Sequence, residues 1–433
     1  MTSLACSSRR LSLGLWAIGY AYFAQLAFST APSPLYALYA RRDHFSALVI
    51  TLVFAAYAVG VLASLLLASH RSDVHGRRPH LLVAVALAAA GAGVFLVWRA
   101  LPGLFLARVL AGIAVGLTMS TATAHISELH RARHPHAAPG RVQRIVAGAS
   151  LGGMASGALV AGLLARYVSH PLTVPYLVLL GMLGLAGAGI AIAPETRRPR
   201  RPLPAYRPQR ITTPAGARRP FFAALTGIFF AYATPAVFIG LAGTFLARVV
   251  HRGSPALAGA SLFIVFAPGV GLVLATGARS SRRLLAAGLV LAIVGLGLIV
   301  VAAWLPSPSL GLFLVGGGAI GASAAALFKA TLRSVMAISP GSRLGETLAG
   351  YYLAAYLGLS IPAIGVGIAL RFLAPRVALL AFAILVSGGL LAVSRVLLGD
   401  DRRRALGALG RDRSVVDLAT DLLRDRLRDR VRR

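Results

Sequence analysis

An all-α membrane protein is the fold class this sequence predicts, with twelve transmembrane helices arranged as two pseudo-symmetric six-helix bundles. Three observations carry it. Of the 433 residues, 57% are hydrophobic and only 13% charged, against about 25% charged in a soluble domain. A chain with so little polar surface cannot clothe itself in water. Apolar runs of about 20 residues recur along the chain, the length a helix needs to cross a bilayer, and the alternation of a barrel strand is absent. Finally, one proline- and arginine-rich segment separates six runs from six.

Taken in order, hydropathy places the spans at 12–36, 45–69, 80–98, 102–128, 142–167, 173–193, 221–247, 256–277, 284–304, 309–335, 346–370 and 375–398. The predicted organisation is a first bundle over 1–193, a linker over 194–220, a second bundle over 221–398 and a basic tail over 399–433. The linker, PETRRPRRPLPAYRPQRITTPAGARRP, reads as a solvated connection. In the tail, Leu418, Leu422, Leu423, Leu427 and Val431 share one side of a helix. Asp421–Arg424, Asp425–Arg428 and Asp429–Arg432 are spaced for ion pairs on the other. That pattern suits a helix lying on the anionic inner leaflet of a membrane.

The charge distribution orients the chain. Arg71, Arg77, Arg78, Arg131, Arg133, Arg141 and Arg144 sit in links on the side of the N-terminus, with Arg279, Arg282, Arg283 and Arg343. The linker adds eight arginines, Arg197 to Arg219. Links on the other side carry far fewer, so both termini are expected in the cytoplasm and the protein in the cell membrane. The net charge of +32 therefore reads as cytoplasmic-loop charge. Nucleic acid is not an expected partner, because no aromatic residues interleave with the arginines. Cys6 is the only cysteine, which excludes an intramolecular disulfide and a cysteine metal cluster. No P-loop is present and no histidine or acid cluster has ligand spacing, so neither cofactor, metal nor enzyme activity is predicted.

The two halves look duplicated. Aligning span 2 with span 8 puts Phe54, Ala58, Gly60 and Val61 on Phe263, Ala267, Gly269 and Val270. In span 4, AGIAVG from Ala111 falls on GGGAIG from Gly316 in span 10. RVQRIVAG from Arg141 falls on RLGETLAG from Arg343. Three matches in one order are what an internal repeat in a transporter leaves behind.

Before the tail the chain has five acids: Asp43, Asp73, Glu128, Glu195 and Glu346. None lies mid-span. The link SHRSDVHGRRPHLL, 69–82, carries Asp73, Gly76, Arg77 and Arg78 between spans 2 and 3. Gly76 permits a tight turn. Asp73 can accept N–H bonds at a helix start, and Arg77 can hold a carboxylate bidentately. This Asp-x-x-Gly-Arg-Arg resembles the signature loop of the major facilitator superfamily, Gly-x-Leu-Ala-Asp-Arg-x-Gly-Arg-Lys. Ser69, Arg71 and Val74 depart from it. The resemblance extends over residues 10–398. It implies an inner gate that latches the halves together when the cavity opens outward. The places where such a loop docks hold Glu128 at the end of span 4 and Glu346 at the start of span 11, with Arg343 nearby.

Other resemblances follow the same family. Arg108 in RVLAGIAVG resembles its Arg-x-x-x-Gly motif in span 4, with snorkelling to the membrane surface as the alternative reading. Gly148, Gly152, Gly153 and Gly157 in span 5 resemble the glycine motif of its antiporters, with close helix packing as the alternative. Gln25, His125, Tyr232 and Lys329 are further candidates for cavity lining or coupling. Tyr351, Tyr352 and Tyr356 suit a cavity wall or packing against span 12.

Together these readings imply a monomeric secondary transporter that moves a small organic solute by alternating access, with export of hydrophobic or drug-like compounds preferred. A proton is the candidate coupling ion. Import of a sugar or organic anion by the same fold is the alternative. A non-transporting membrane sensor or scaffold is the remote one.

Overall fold

The computed structural model describes residues 8–68, 72–135, 140–197, 212–213, 217–248, 253–276, 280–339 and 344–396, with the Asp73 side chain excluded. The predicted tail helix, Arg343, Arg71 and most of the linker lie outside the described residues.

The described chain is helical throughout. Its elements are α1 (Ser8–Thr30), α2 (Pro32–Arg42), α3 (Ala47–Leu67), α4 (Ser72–His75), α5 (Arg77–Val97), α6 (Leu101–Arg133) and α7 (Gly140–Tyr167). Then come α8 (Val174–Ile192), α9 (Arg218–Arg248), α10 (Pro255–Ala275), α11 (Ser281–Trp304), α12 (Leu310–Ile338), α13 (Leu344–Ala369) and α14 (Pro375–Val396). Twelve segments are long and apolar enough to cross a membrane, with α1 and α2 forming one of them. They match the twelve predicted spans. The difference is in the ends: Ser8–Asp43, Leu101–Arg133 and Arg218–Arg248 run well past the apolar core.

Local chemistry explains the boundaries. Ser46, Ser280 and Ser309 accept from the N–H three residues on, each at 3.4 Å, and so start α3, α11 and α12. Prolines open α2, α6, α8 and α10, where a missing N–H costs nothing. Ala31 keeps helical angles ahead of Pro32, so α2 prolongs α1.

Lipid offers no hydrophobic drive between helices, so close packing of small residues holds them together. Glycine contacts show the duplication directly. A Cβ at Gly60 would lie 3.1 Å from the Gly112 Cα and against the Val109 carbonyl. In the second bundle a Cβ at Gly269 would lie 3.4 Å from the Gly321 carbonyl. Thus α3 on α6 repeats as α10 on α12.

The bundles meet along two seams, α3 with α13 and α7 with α10. Call the end that carries Ser8, α4 and Val396 the terminal face, and the other the opposite face. Both seams close toward the opposite face. Gly162 packs on the Pro255 carbonyl and the Gly259 Cα, and Gly259 packs on the Ala158 carbonyl. Gly367 packs on Thr51 and Leu48. Every buried residue of α7 falls between Gly153 and Ala165, and those of α10 between Ala258 and Gly269. Toward the terminal face, Gly148 and Gly271 have open space beside them. The closest contacts between the bundles therefore lie toward the opposite face.

Candidate functional site

At the terminal face the link after α3 turns through α4 into α5. Gly76 sits at φ 103° and is buried, a conformation that favours glycine. Behind it stands Glu195, from the start of the linker. Its carboxylate accepts N–H bonds from Arg77 at 3.0 Å, Arg78 at 2.9 Å, Thr196 at 2.9 Å and Arg197 at 3.0 Å. It thereby caps α5, whose first N–H groups lack partners inside the helix, and a negative charge is favoured there.

The side chain of Arg77 turns inward. It donates to Glu128 at 3.1 Å and 3.4 Å and to the Ser72 hydroxyl at 2.7 Å. Glu128 also accepts from the Thr196 hydroxyl at 2.5 Å and from Arg197 at 3.4 Å. Arg77 and Glu128 thus meet, as the resemblance implies. Among the described residues, the contacts of the cluster join the first bundle to the linker start. Glu346 is not part of it: the Thr212 hydroxyl donates to Glu346 instead. His125 is buried beside the cluster, with Nε2 at 2.9 Å from the Pro194 carbonyl. Sequence reasoning missed Glu195, Thr196 and Arg197 as members. The only available signal was their place in PETRR directly after span 6.

Between the bundles runs an aromatic belt. Ring centroids run from Tyr57 on α3 to Tyr356 on α13 at 6.4 Å, and on to Tyr232 on α9 at 6.4 Å. From Tyr232 the belt continues to Phe328 at 6.1 Å, Tyr351 at 6.0 Å and Tyr352 at 5.6 Å. Tyr356 Oη lies 3.4 Å from Met119 Sδ of the first bundle. Tyr22 of α1 faces Tyr352 and Tyr57. The belt bridges both halves, and Tyr232 and the three α13 tyrosines belong to it. Among the described residues it holds no carboxylate. Lys329, partly buried on α12, donates to Thr276 at 3.0 Å.

Arg108 adjoins the belt, its guanidinium carbon 4.5 Å from the Tyr57 ring centroid. Arg108 does not snorkel: it is 1% exposed and donates to the Ser29 carbonyl at 2.8 Å. Gln25 is 0% exposed inside the first bundle. The span-5 glycines split. Gly153 and Gly157 pack on the α1 backbone at Phe23 and Ala27, so close packing accounts for them. Gly152 only approaches the Phe23 ring, at 3.8 Å, and Gly148 faces open space.

An aromatic belt thus lies between two repeated bundles. The sequence model of the Major Facilitator Superfamily matches residues 18–304, more than half of the chain. The chain belongs to the major facilitator superfamily. This facilitator is therefore a multi-pass membrane protein with a transporter fold. No curated protein sequence matches it. Among solved structures it is similar to the human organic anion transporter MFSD10 (TETRAN), with TM-score 0.63 and 15% identity, covering 90% of this chain and 100% of that one. The nucleoside transporter NupG gives TM-score 0.67 at 9% identity, over 89% of this chain and 99% of that one. The peptide transporter POT bound to alafosfalin gives 0.68 at 14% identity, over 90% and 94%. At these identities the likeness is one of fold.

Proposed function

We propose that this facilitator exports small hydrophobic or drug-like organic compounds by alternating access. The aromatic belt is the observation that supports it. Tyrosine rings from both bundles offer apolar area with a few hydroxyls for orientation, the makeup of a site for small organic ligands. A mid-membrane carboxylate, which a cationic drug would call for, has no counterpart there. In this reading the terminal face is cytoplasmic, as the arginine bias indicates, and solute reaches the belt from the cytoplasm or inner leaflet. The cluster of Arg77, Glu128 and Glu195 shapes the inner gate. Asp73 and Arg78 belong to the same loop, and Glu346 opens α13 across the seam; Arg343 lies outside the described residues. The basic tail rests on the inner leaflet, and the protein works as a monomer. A proton remains the candidate coupling ion, with His125 or the acids at span ends as carriers.

Import of an organic anion is a second reading, favoured by Lys329, a cation facing the same half of the molecule. Deleting the gene separates the two. Lost tolerance to a panel of hydrophobic compounds supports export. Unchanged tolerance with lost uptake of one nutrient supports import and contradicts the first reading.

A further inference from the structure

A cavity of about 190 Å³ lies at the opposite face, where the first bundle meets the second. The end of α2 and the start of α3 form one wall, and the end of α9 and the start of α10 form the other. Its base is apolar, with Ala47, Ile50 and Ala258 all buried. Its rim is basic. Arg41 comes from α2 and Arg248 from α9, and both are exposed. A Cβ at Gly253 would lie 2.8 Å from a terminal guanidinium nitrogen of Arg41. Arg41 therefore reaches from the first bundle onto the segment that leads into α10.

Two cations from different bundles line one cavity, and their repulsion is relieved by an anion between them. The cavity wall supplies none, because no residue lining it is acidic. Asp43, two residues on from Arg41, is held by Arg42 at 2.8 Å and 2.6 Å. Among the described residues neither Arg41 nor Arg248 has a hydrogen-bond or ion-pair partner. Arg42 and Arg99 on the same face are both bonded.

The walls say what the anion carries. Leu38, Phe45 and Pro255 line the cavity with Ile50, so apolar matter fits below the arginines. Sites that enclose a whole organic ligand run to about 300–1,000 Å³, and this cavity takes only part of one. A membrane lipid meets both conditions. Its phosphate suits the guanidinium fork, and the carbon chain beneath it covers apolar wall. Basic pockets between membrane helices hold anionic headgroups in this way. Thr244 and Ser254 add hydroxyls to the lining, and Ser254 makes no capping bond to α10.

We propose that an anionic phospholipid binds in this cavity, its phosphate between Arg41 and Arg248 and the start of its acyl region against Phe45 and Ile50. Its contacts come from both bundles, so it favours the conformation in which they touch at this face. The assignment rests on the cavity and its rim, and is independent of the solute and of the direction of transport.

The test holds the purified full chain in micelles of detergent with phosphatidylcholine and adds phosphatidylglycerol, with melting temperature as the readout. A saturable rise is expected. Arg41→Gln and Arg248→Gln should each raise the half-saturation concentration about tenfold, as loss of one charge-assisted hydrogen bond does. Both side chains are exposed, so these variants keep the fold. Ala247→Phe, which puts a ring into the cavity and leaves both arginines, should weaken the response as well. The pair Arg371→Gln with Arg376→Gln removes the same charge away from the cavity and should leave the response intact. A melting temperature that rises equally with phosphatidylcholine would overturn the proposal. So would an undiminished response in both Arg41→Gln and Arg248→Gln, or an equal loss in the Arg371 and Arg376 pair. Sodium phosphate that stabilises as well as the lipid would assign the rim to a free anion and overturn the lipid.

Discussion

Glu195 shows how much one side chain can organise. Its carboxylate gathers four backbone N–H groups, fixing the start of α5 to the start of the linker. Replacing it by alanine leaves those donors to water or to nothing. Glu195→Ala should lower stability by about 1–3 kcal/mol, read as a lower melting temperature. Gly76 is bound by the same geometry. A Cβ there would lie 2.9 Å from Glu195 Oε2 at a φ of 103°, so Gly76→Ala should cost about 1–3 kcal/mol as well. Equal stability in both variants would mean the loop is not held this way. Arg77→Ala should slow transport without changing which solutes are carried, measured as flux in liposomes across a solute panel. A changed solute preference would place the loop in contact with substrate. Arg77 and Glu128 were readable in the sequence because each is a rare charge at the end of an apolar span. Glu195 was not, because a cap formed across more than a hundred residues leaves no spacing to read.

At the scale of helices, glycines set where the bundles touch. Gly162 and Gly259 let α7 and α10 approach at the backbone, and Gly367 does the same for α13 on α3. Gly162→Leu should push α7 off α10 and open the opposite face. A cysteine at Ala258, which is 1% exposed in the native protein, reports this in a Cys6→Ser background. Its labelling by a membrane-impermeant maleimide should rise several-fold, and an unchanged rate would contradict the seam. The twelve spans were legible because hydropathy and length decide a crossing helix. Their ends were not: in Leu101–Arg133 and Arg218–Arg248 the helix continues into polar residues, where the apolar signal fades. The glycine motif of span 5 was legible as a pattern but not as a role. Only the structure separates Gly153 and Gly157, which pack on α1, from Gly148, which faces open space. The aromatic belt was half visible. Tyr232 and the α13 tyrosines stood out mid-span, whereas Tyr22 and Tyr57 gained meaning only when the two halves were set face to face.

For the whole molecule, the asymmetry of the two seams matters most. The bundles touch at the backbone toward the opposite face, and the aromatic belt bridges them further along. In the proposed alternating access that asymmetry reverses in each cycle, and the opposite face parts. Ala258, buried on that seam, reports such a parting. The decisive measurement is labelling of Ala258→Cys by a membrane-impermeant maleimide in proteoliposomes, in the Cys6→Ser background, before and after addition of the hydrophobic compounds whose flux is followed. Alternating access predicts that labelling rises several-fold during flux. Flux with labelling unchanged would contradict the account.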